Sequence, residues 1–399
     1  MNSFRENILM LLQAPFPPDI RLEKEIRSLT NAGYNVSLLC NQYEENISPD
    51  FPFCNIIRVK ALFTNKKLNK IINIPFFLNP RFIYYLFKTY FIVKPDFIHA
   101  HDLPMAPLGL MLGKLYKKPV IFDMHENYPQ ALKAFNKKGF FNFLFKNYRL
   151  ASLLEKKILK HVDKVLVVIE ENKIRLVNEG LDENKVEVVS NTVDFNTFNY
   201  KYEAAGEDFK VNEKFVVAYS GGVSPDRGLE TPVRALKYFK AKLPNFMMMI
   251  IGDGPSIPIL KSIAQADGTE GFVKFIKWPG HQNLIKYLNF ADVLMIPQPA
   301  NDFINTTIPH KLFEYMLIGK PVIVSNALPL KRIVNETTSG EVFQSNNEKD
   351  FFEKILIIKN STIPYGKNGR TAVFNKYNWD NDSQKLLGVY NELAERNYA

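Results

Sequence analysis

Six short polar stretches bring together histidine, carboxylate, cation and glycine in arrangements that suit ligand chemistry. PFPPDIR (Pro15–Arg21) stiffens a loop with prolines and presents Asp19 and Arg21. HAHDLP (His99–Pro104) and DMHENYP (Asp123–Pro129) follow apolar runs and carry His101, Asp102, His125 and Glu126. SGGVSPDRG (Ser220–Gly228) pairs Gly221 with Gly222 and ends on Arg227. Paired glycines let backbone N–H groups approach a ligand closely, and a guanidinium forks onto phosphate oxygens. GDGP adds Gly252 and Gly254 in a second tight turn.

The sixth stretch, NTTIPHKLFEYMLIGKPVIVS (Asn305–Ser325), is the most distinctive. A polar loop with Thr306 and Thr307 ends at Pro309, and a helix-patterned run with apolar Leu312, Phe313, Tyr315, Met316 and Leu317 follows. Gly319 stops the helix, and Val322-Ile323-Val324 reads as a buried parallel strand. Lys311 sits in the first turn, where the helix field disfavours a cation. A helix N-terminus with a cation reaching forward is a seat for phosphate, and Glu314 one turn on is suited to accept hydrogen bonds from sugar hydroxyls. His-x-His at a strand end also fits a metal-dependent hydrolase. That reading needs ligands at other strand ends, and His161, His281 and His310 follow no matching pattern. No metal is expected.

These stretches need a scaffold that ends several strands at one place, and the order of elements provides it. Apolar runs at Asn7–Leu12, Val36–Cys40, Phe97–Ala100, Val120–Asp123, Val165–Ile169 and Val186–Val189 alternate with helix-like segments such as Arg21–Ala32. Asn191–Gly206 is polar and irregular, a linker. A second series follows at Phe215–Tyr219, Phe246–Ile251, Val273–Ile276, Val293–Ile296 and Val322–Val324. Strand alternating with helix predicts parallel sheets covered on both faces. The fold expected is α/β: two doubly wound, Rossmann-like domains facing a central cleft, with ligands outside the carboxyl ends of the strands. A chain of 399 residues exceeds one core, in keeping with two domains.

Composition narrows the setting. Two cysteines, Cys40 and Cys54, give no disulfide framework and no zinc spacing, which points to a reducing compartment. The start of the chain has an apolar stretch too short to span a bilayer and reads as a buried strand, and no other uninterrupted apolar run is long enough. The net charge of +10 is concentrated. Between Lys60 and Lys94 lie Lys66, Lys67, Lys70, Arg81 and Lys88 without an acidic residue, interleaved with aromatics including Phe63, Phe76, Phe82, Tyr84, Tyr85, Phe87, Tyr90 and Phe91. Lys133–Lys160 repeats the mixture. Cations among aromatics suit an anionic membrane surface, at about 1 kcal/mol per cation. No nucleic-acid module accompanies the charge, so nucleic acid is not an expected partner.

Taken in order, the stretches resemble the retaining glycosyltransferases of family 4, which have the GT-B fold. The matching pieces are the proline loop with Asp19, DFIHAH, the His-Glu of DMHENYP, SNTVDFNTF, GGVSPDRGLE, IGDGP and PHKLFEYMLIGKPVIVS. Tyr377-Asn378-Trp379 and the helix-like Lys385–Asn397 resemble the terminal helix that crosses back to the first domain in that fold. The resemblance implies an acceptor-side domain over residues 1–195, a nucleotide-sugar domain over 196–375 and a terminal helix over 376–399. It implies that Glu314 binds the donor ribose and that Arg227 takes the place of a lysine on the diphosphate. His125, with Asp19, would serve the transferred sugar. Gly221, Gly222, Gly252, Gly254, Thr306, Thr307, Lys311 and Leu312 would shape the donor pocket, and Arg21, His101, Asp102 and Glu126 the acceptor side. The family acts without a bound metal, and cofactors are not expected, since the nucleotide-sugar is a substrate. Retention needs no enzymic nucleophile.

Two positions depart from the pattern. The family's arginine after the first glycine is Gly222 here, and the first glutamate of its Glu-x7-Glu signature is Thr306. Lys311 is the expected replacement for the lost phosphate cation. The partners implied are a UDP- or GDP-linked sugar, a glycan or lipid-linked acceptor of surface polysaccharide synthesis, and an anionic membrane, with the chain cytoplasmic and peripheral on the inner face. The alternatives are a sugar-nucleotide epimerase of the same fold and a non-catalytic nucleotide-sugar-binding subunit.

Overall fold

The computed structural model describes residues 6–42, 51–61, 63, 78–134, 147–198 and 214–398. It separates into two compact units: residues 1–191 with 380–399, and residues 192–379.

Unit 1 is built on a parallel sheet of seven strands: β1 (Asn7–Leu11), β2 (Asn35–Gln42), β3 (Asn55–Lys60), β4 (Phe97–His101), β5 (Val120–Met124), β6 (Lys164–Val167) and β7 (Val186–Val188). Their spatial order is β3-β2-β1-β4-β5-β6-β7, so the winding reverses between β1 and β4. Asp19 caps α1 (Ile20–Asn31), its carboxylate accepting the N–H groups of Arg21 and Leu22. Asn79 caps α2 (Pro80–Val93) in the same way. α3 (Ala106–Tyr116), α4 (Tyr128–Ala134), α5 (Tyr148–Leu159) and α6 (Glu170–Asn178) complete the crossovers.

Period-two alternation decides what each face of this sheet holds. On β4, Ile98 and Ala100 enter one apolar core with Leu9, Leu11, Leu39, Phe122, Val165 and Val167, under Phe82, Leu86 and Leu112. Phe97, His99 and His101 therefore point to the other face, where Arg21 and Glu25 of α1 are buried. The terminal helix (Trp379–Tyr398) packs on this unit too. It buries Leu386, Val389, Tyr390 and Leu393, and Glu392 pairs with Lys164 at 2.5 Å. Each fully buried aliphatic side chain contributes about 1.5–3 kcal/mol.

Unit 2 repeats the plan with β8 (Phe215–Ser220), β9 (Phe246–Ile251), β10 (Val273–Ile276), β11 (Val293–Ile296), β12 (Val322–Ser325) and β13 (Gly340–Phe343) in the order β10-β9-β8-β11-β12-β13. Its helices are α7 (Glu230–Lys242), α8 (Ile257–Ala266), α9 (His281–Phe290), α10 (Lys311–Ile318), α11 (Leu328–Thr337), α12 (Glu348–Asn360) and α13 (Tyr365–Asn375). Val217, Tyr219, Met248, Ile250, Val293, Met295 and Ile323 build the core with Phe239, Phe246, Phe343 and Phe351. Here the winding reverses between β8 and β11, and the Ser220–Gly228 turn leaves β8 at that point. In such sheets ligands bind outside the carboxyl ends of the strands at the switch.

Two edge strands, β3 and β13, join the expected set. Among the described residues no helix is long and apolar enough to cross a membrane.

Candidate active site

In unit 1 the polar face of β4 and β5 gathers the histidines. Register places His101 opposite Asp123, so the carboxylate faces the ring that leaves β4. Asp123 is fully buried and is the hub. Its Oδ1 lies 2.5 Å from Arg21 Nη2, and its Oδ2 lies 3.1 Å from His125 Nε2 and 3.3 Å from His101 Nδ1. Arg21 also donates to Glu25 at 2.8 Å, an i,i+4 contact on α1. His101 Nδ1 and His125 Nε2 are 3.2 Å apart, and the Asp102 carboxylate stands 3.6 Å from His125 Nδ1. Asp102 adopts φ 62°, a left-handed conformation open to Asp, and accepts the His125 backbone N–H.

The charges in this cluster settle one another. Burial alone would lower the basicity of His125, but Asp102 and Asp123 overrule it and hold the imidazolium up to about 10. Burial would raise Asp123, yet Arg21 and His125 keep it well below the carboxylate range. His99 is driven down to about 3 by burial and by neighbouring His101, and His101 is lowered by burial. Only the His125 end of the three rings is therefore cationic near neutrality. Its Nε2 is saturated. Its Nδ1 is beyond hydrogen-bond distance of Asp102, on a side chain about one-fifth exposed, which leaves that N–H for a ligand hydroxyl. Burial and nearby Asp102 raise Glu126 to about 7.

Glu25, His99, His101 and Asp123 bring possible metal-ligand atoms within 4.8 Å of one another. The guanidinium of Arg21 already bridges Glu25 and Asp123, and a divalent ion there would also face the His125 imidazolium. The donor set suits a metal by type, but the two fixed cations occupy its charge.

In unit 2 the two glycine turns are zipped together past the end of the sheet. Gly221 N–H donates to Ile251 O at 2.9 Å, Val223 N–H to Asp253 O at 2.9 Å, and Ser256 N–H to Val223 O at 3.0 Å. A Cβ on Gly252 would stand 2.0 Å from Gly221 O, and one on Gly254 would stand 2.1 Å from Val223 O. These two glycines serve backbone against backbone, where the sequence pointed to a ligand. Gly222 is different, exposed and with open space where a Cβ would lie.

Lys311 does not reach forward from α10. Its ammonium turns under the first glycine turn, 2.7 Å from Ser220 O and 3.3 Å from the Tyr219 hydroxyl, over the Tyr219 ring at 4.3 Å. A Cβ on Gly221, which has φ 125°, would meet that ammonium at 2.7 Å. Burial and then nearby Arg227 lower Lys311 to about 7, opposed by Glu314 and Asp226. Arg227, about one-third exposed, lies 3.3 Å from Asp226. Glu314 is one-fifth exposed and stands 3.7 Å from His310.

The front of α10 is tighter than its sequence implies. Leu312 N–H bonds Pro309 O at 3.1 Å and Phe313 N–H bonds His310 O at 3.0 Å, so these two amides already have partners. Leu312 itself is core. Thr306 is buried, its hydroxyl donating to Phe303 O at 2.8 Å, and Thr307 follows it at the edge of that turn. Tyr315 accepts from Ser220 N–H at 2.9 Å and fixes the β8 end.

Sequence reasoning did not single out Glu25, Asp123 or Tyr219; it raised His99 only within His-x-His as a metal pattern, and Tyr315 only as an apolar residue of the helix. The two-residue spacing of His99 and His101, and the four-residue spacing of Arg21 and Glu25, were the signals available for part of the set. Of the basic-aromatic stretches, residues 64–77 and 135–146 lie outside the described residues. On α2 the aromatics divide: Phe82 and Tyr90 are core, whereas Tyr84 and Phe91, with aliphatic Ile92, are exposed beside Lys88.

Solved structures define the fold. Sucrose-phosphate synthase from Thermosynechococcus elongatus superposes with a TM-score of 0.75 at 17% identity, covering 98% of this chain and 100% of that one. The Anabaena protein HepE in complex with UDP-glucose follows with a TM-score of 0.69 at 16% identity, covering 97% and 99%. The fold is GT-B. The family model described as Glycosyl transferases group 1 matches residues 203–371, and that of Glycosyltransferase Family 4 matches residues 22–197. The chain belongs to the family 4 glycosyltransferases. The capsular polysaccharide biosynthesis glycosyltransferase CapM of Staphylococcus aureus is 25% identical over 321 residues, 76% of this chain and 78% of that protein. The alpha-monoglucosyldiacylglycerol synthase of Acholeplasma laidlawii is 22% identical over 362 residues, 86% and 85%.

Proposed function

We propose that this glycosyltransferase moves a sugar, with retention, from a UDP- or GDP-linked donor to a glycan or lipid-linked acceptor in surface polysaccharide or glycolipid synthesis. The observation that carries the donor half is the Lys311 ammonium held against Ser220 O under the Gly221 turn, where β8 meets the switch point of unit 2, with Arg227 at the end of the same turn. These cations stabilise the diphosphate as it leaves, in the place a metal would take, and Glu314 accepts the ribose hydroxyls. No cofactor is needed. In unit 1, His125 donates its Nδ1–H to a hydroxyl of the transferred sugar, held in place by Asp102 and Asp123. Asp19 acts by capping α1, which sets Arg21 against Asp123, and Glu126 lies on the acceptor side.

The HepE complex with UDP-glucose supports a nucleotide-sugar donor, and the names of CapM and the alpha-monoglucosyldiacylglycerol synthase support a polysaccharide or glycolipid product. The exposed Tyr84, Phe91 and Ile92 beside Lys88 on α2, and Leu150 and Leu153 beside Lys156 and Lys157 on α5, support docking on an anionic membrane at its cytoplasmic face.

Thermal denaturation against UDP, GDP, ADP and CMP tests the donor site, since a ligand of the native state raises Tm by mass action. One nucleoside diphosphate should raise Tm, equally with EDTA, and lose the effect in Glu314→Ala. No rise with any nucleotide would remove the donor pocket from the reading. Binding without transfer to any acceptor would mark a non-catalytic subunit.

A further inference from the structure

The polar face of β4 holds His99, a ring that the proposed chemistry does not use, and its partner comes from the far end of the chain. Tyr390, fully buried on the terminal helix, has its hydroxyl 2.8 Å from His99 Nδ1. Phe97 and Tyr34 flank the Tyr390 ring, with centroids at 5.2 and 5.4 Å, so the hydroxyl has little freedom. His99 stacks on His101 with centroids 4.2 Å apart and planes 21° apart. Its Nε2 faces Asp123 Oδ2 at 3.8 Å, the same oxygen that His125 and His101 approach.

We propose that Tyr390 and His99 are positioning residues for His125, the hydroxyl fixing the His99 tautomer that turns an N–H toward Asp123. The proposal rests on the reading of His125 as the group beside the transferred sugar. A neutral imidazole carries one N–H. A bare lone pair at Nε2 would repel the Asp123 carboxylate, whereas an N–H there attracts it. Tyr390 makes that choice consistent by donating to the bare Nδ1. Neither His99 Nε2 nor His101 Nε2 has a hydrogen-bond partner among the described residues, and both rings are fully buried, so no solvent screens the effect. Asp123 then passes the orientation on to His125.

Packing does not require the hydroxyl. Leu386, Val389 and Leu393 hold the terminal helix down, and a phenylalanine at 390 would fill the same aromatic cage.

The test uses the full chain with 15N-labelled histidine, of which there are six. In the native protein His99 should show its proton on Nε2, and in Tyr390→Phe it should populate both tautomers. Turnover of the best donor from a panel of UDP- and GDP-sugars should fall roughly three- to tenfold in kcat in Tyr390→Phe, the size of one buried hydrogen bond, with donor KM unchanged. His99→Phe should lose at least as much, and the double variant no more than His99→Phe alone, because the two act in series. A His99 proton on Nδ1 in the native protein, an unchanged kcat in Tyr390→Phe, or additive losses in the double variant would overturn the proposal. If His125→Ala keeps full kcat, the role of His125 falls and takes this one with it. That failure is distinct, since in the others His125→Ala still collapses turnover.

Discussion

The two units treat buried charge in opposite ways. Around Asp123, Arg21 and His125 stand against Asp123 and Asp102, and each ion has its opposite within about 4 Å. Around Gly221, the buried ammonium of Lys311 touches a carbonyl, a hydroxyl and an aromatic ring; Arg227 adds to the positive potential, and Asp226 beside Arg227 and Glu314 offset it only in part. A closed set of charges holds a geometry. An under-compensated one holds an appetite for an anion. The first arrangement is suited to orienting a ring and the second to taking a diphosphate, the two tasks the proposed function assigns to the same doubly wound frame.

The sharpest contrast is in what each charge contributes to folding. Asp123→Asn removes the counter-ion that Arg21 and His125 share, and removing one partner of a buried pair costs about 3–5 kcal/mol. That loss should appear as faster amide hydrogen exchange in β1, β4 and β5. Trp278 belongs to unit 2 and Trp379 stands at its boundary, where the terminal helix begins, so in a Trp379→Phe background the tryptophan transition in urea should move far less. Comparable losses by both probes would mean that the charge set is not local to unit 1.

Lys311→Met should behave in the opposite sense. Its folded stability at pH 7 should be unchanged or higher, while affinity for the nucleoside diphosphate drops about tenfold or more, the size of one charge-assisted hydrogen bond. Gly222 offers the way back. Its Cβ direction is open, so Gly222→Arg in the Lys311→Met background should recover most of the binding. Failure of that rescue would mean that Lys311 is not standing in for the missing arginine.

A smaller effect separates the units by pH. His125 holds its proton up to about 10 in the folded chain and to about 6.5 unfolded, so its contribution is complete below 6.5 and is lost as pH rises toward 10. Lys311, lowered to about 7 from 10.5, has the reverse sign: the folded state binds fewer protons over that window, and stability rises with pH. The stability gap between His125→Gln and the native chain should narrow from pH 6.5 to 10. The gap between Lys311→Met and the native chain should shift toward the native chain from pH 7 to 10.5. Parallel trends in the two variants would contradict the assigned protonation states.

Much of the frame was legible because buried parallel strands are apolar runs between turn residues, as in Val322-Ile323-Val324 and Phe246–Ile251. The two strands it missed, NIIRVK of β3 and GEVF of β13, lie at sheet edges and carry charge, so no run marks them. The site was legible as motifs and less so as contacts. Proximity of Tyr390 to His99 spans 291 positions and has no local signature. Gly252 and Gly254 look like ligand-facing glycines in sequence, yet the close approach they permit is to Gly221 and Val223. Lys311 was legible as an anomalous cation in a first turn, but its inward direction follows from the space left over Gly221, a tertiary fact.

The most direct measurement is a calorimetric titration of UDP and GDP into the native chain and into Lys311→Met, at pH 7 in EDTA. One nucleotide should bind the native chain as well in EDTA as in Mg²⁺, and at least tenfold more weakly to Lys311→Met. Binding that needs Mg²⁺, or that is equal in the two proteins, would contradict the assignment of the diphosphate charge to the protein's own cations.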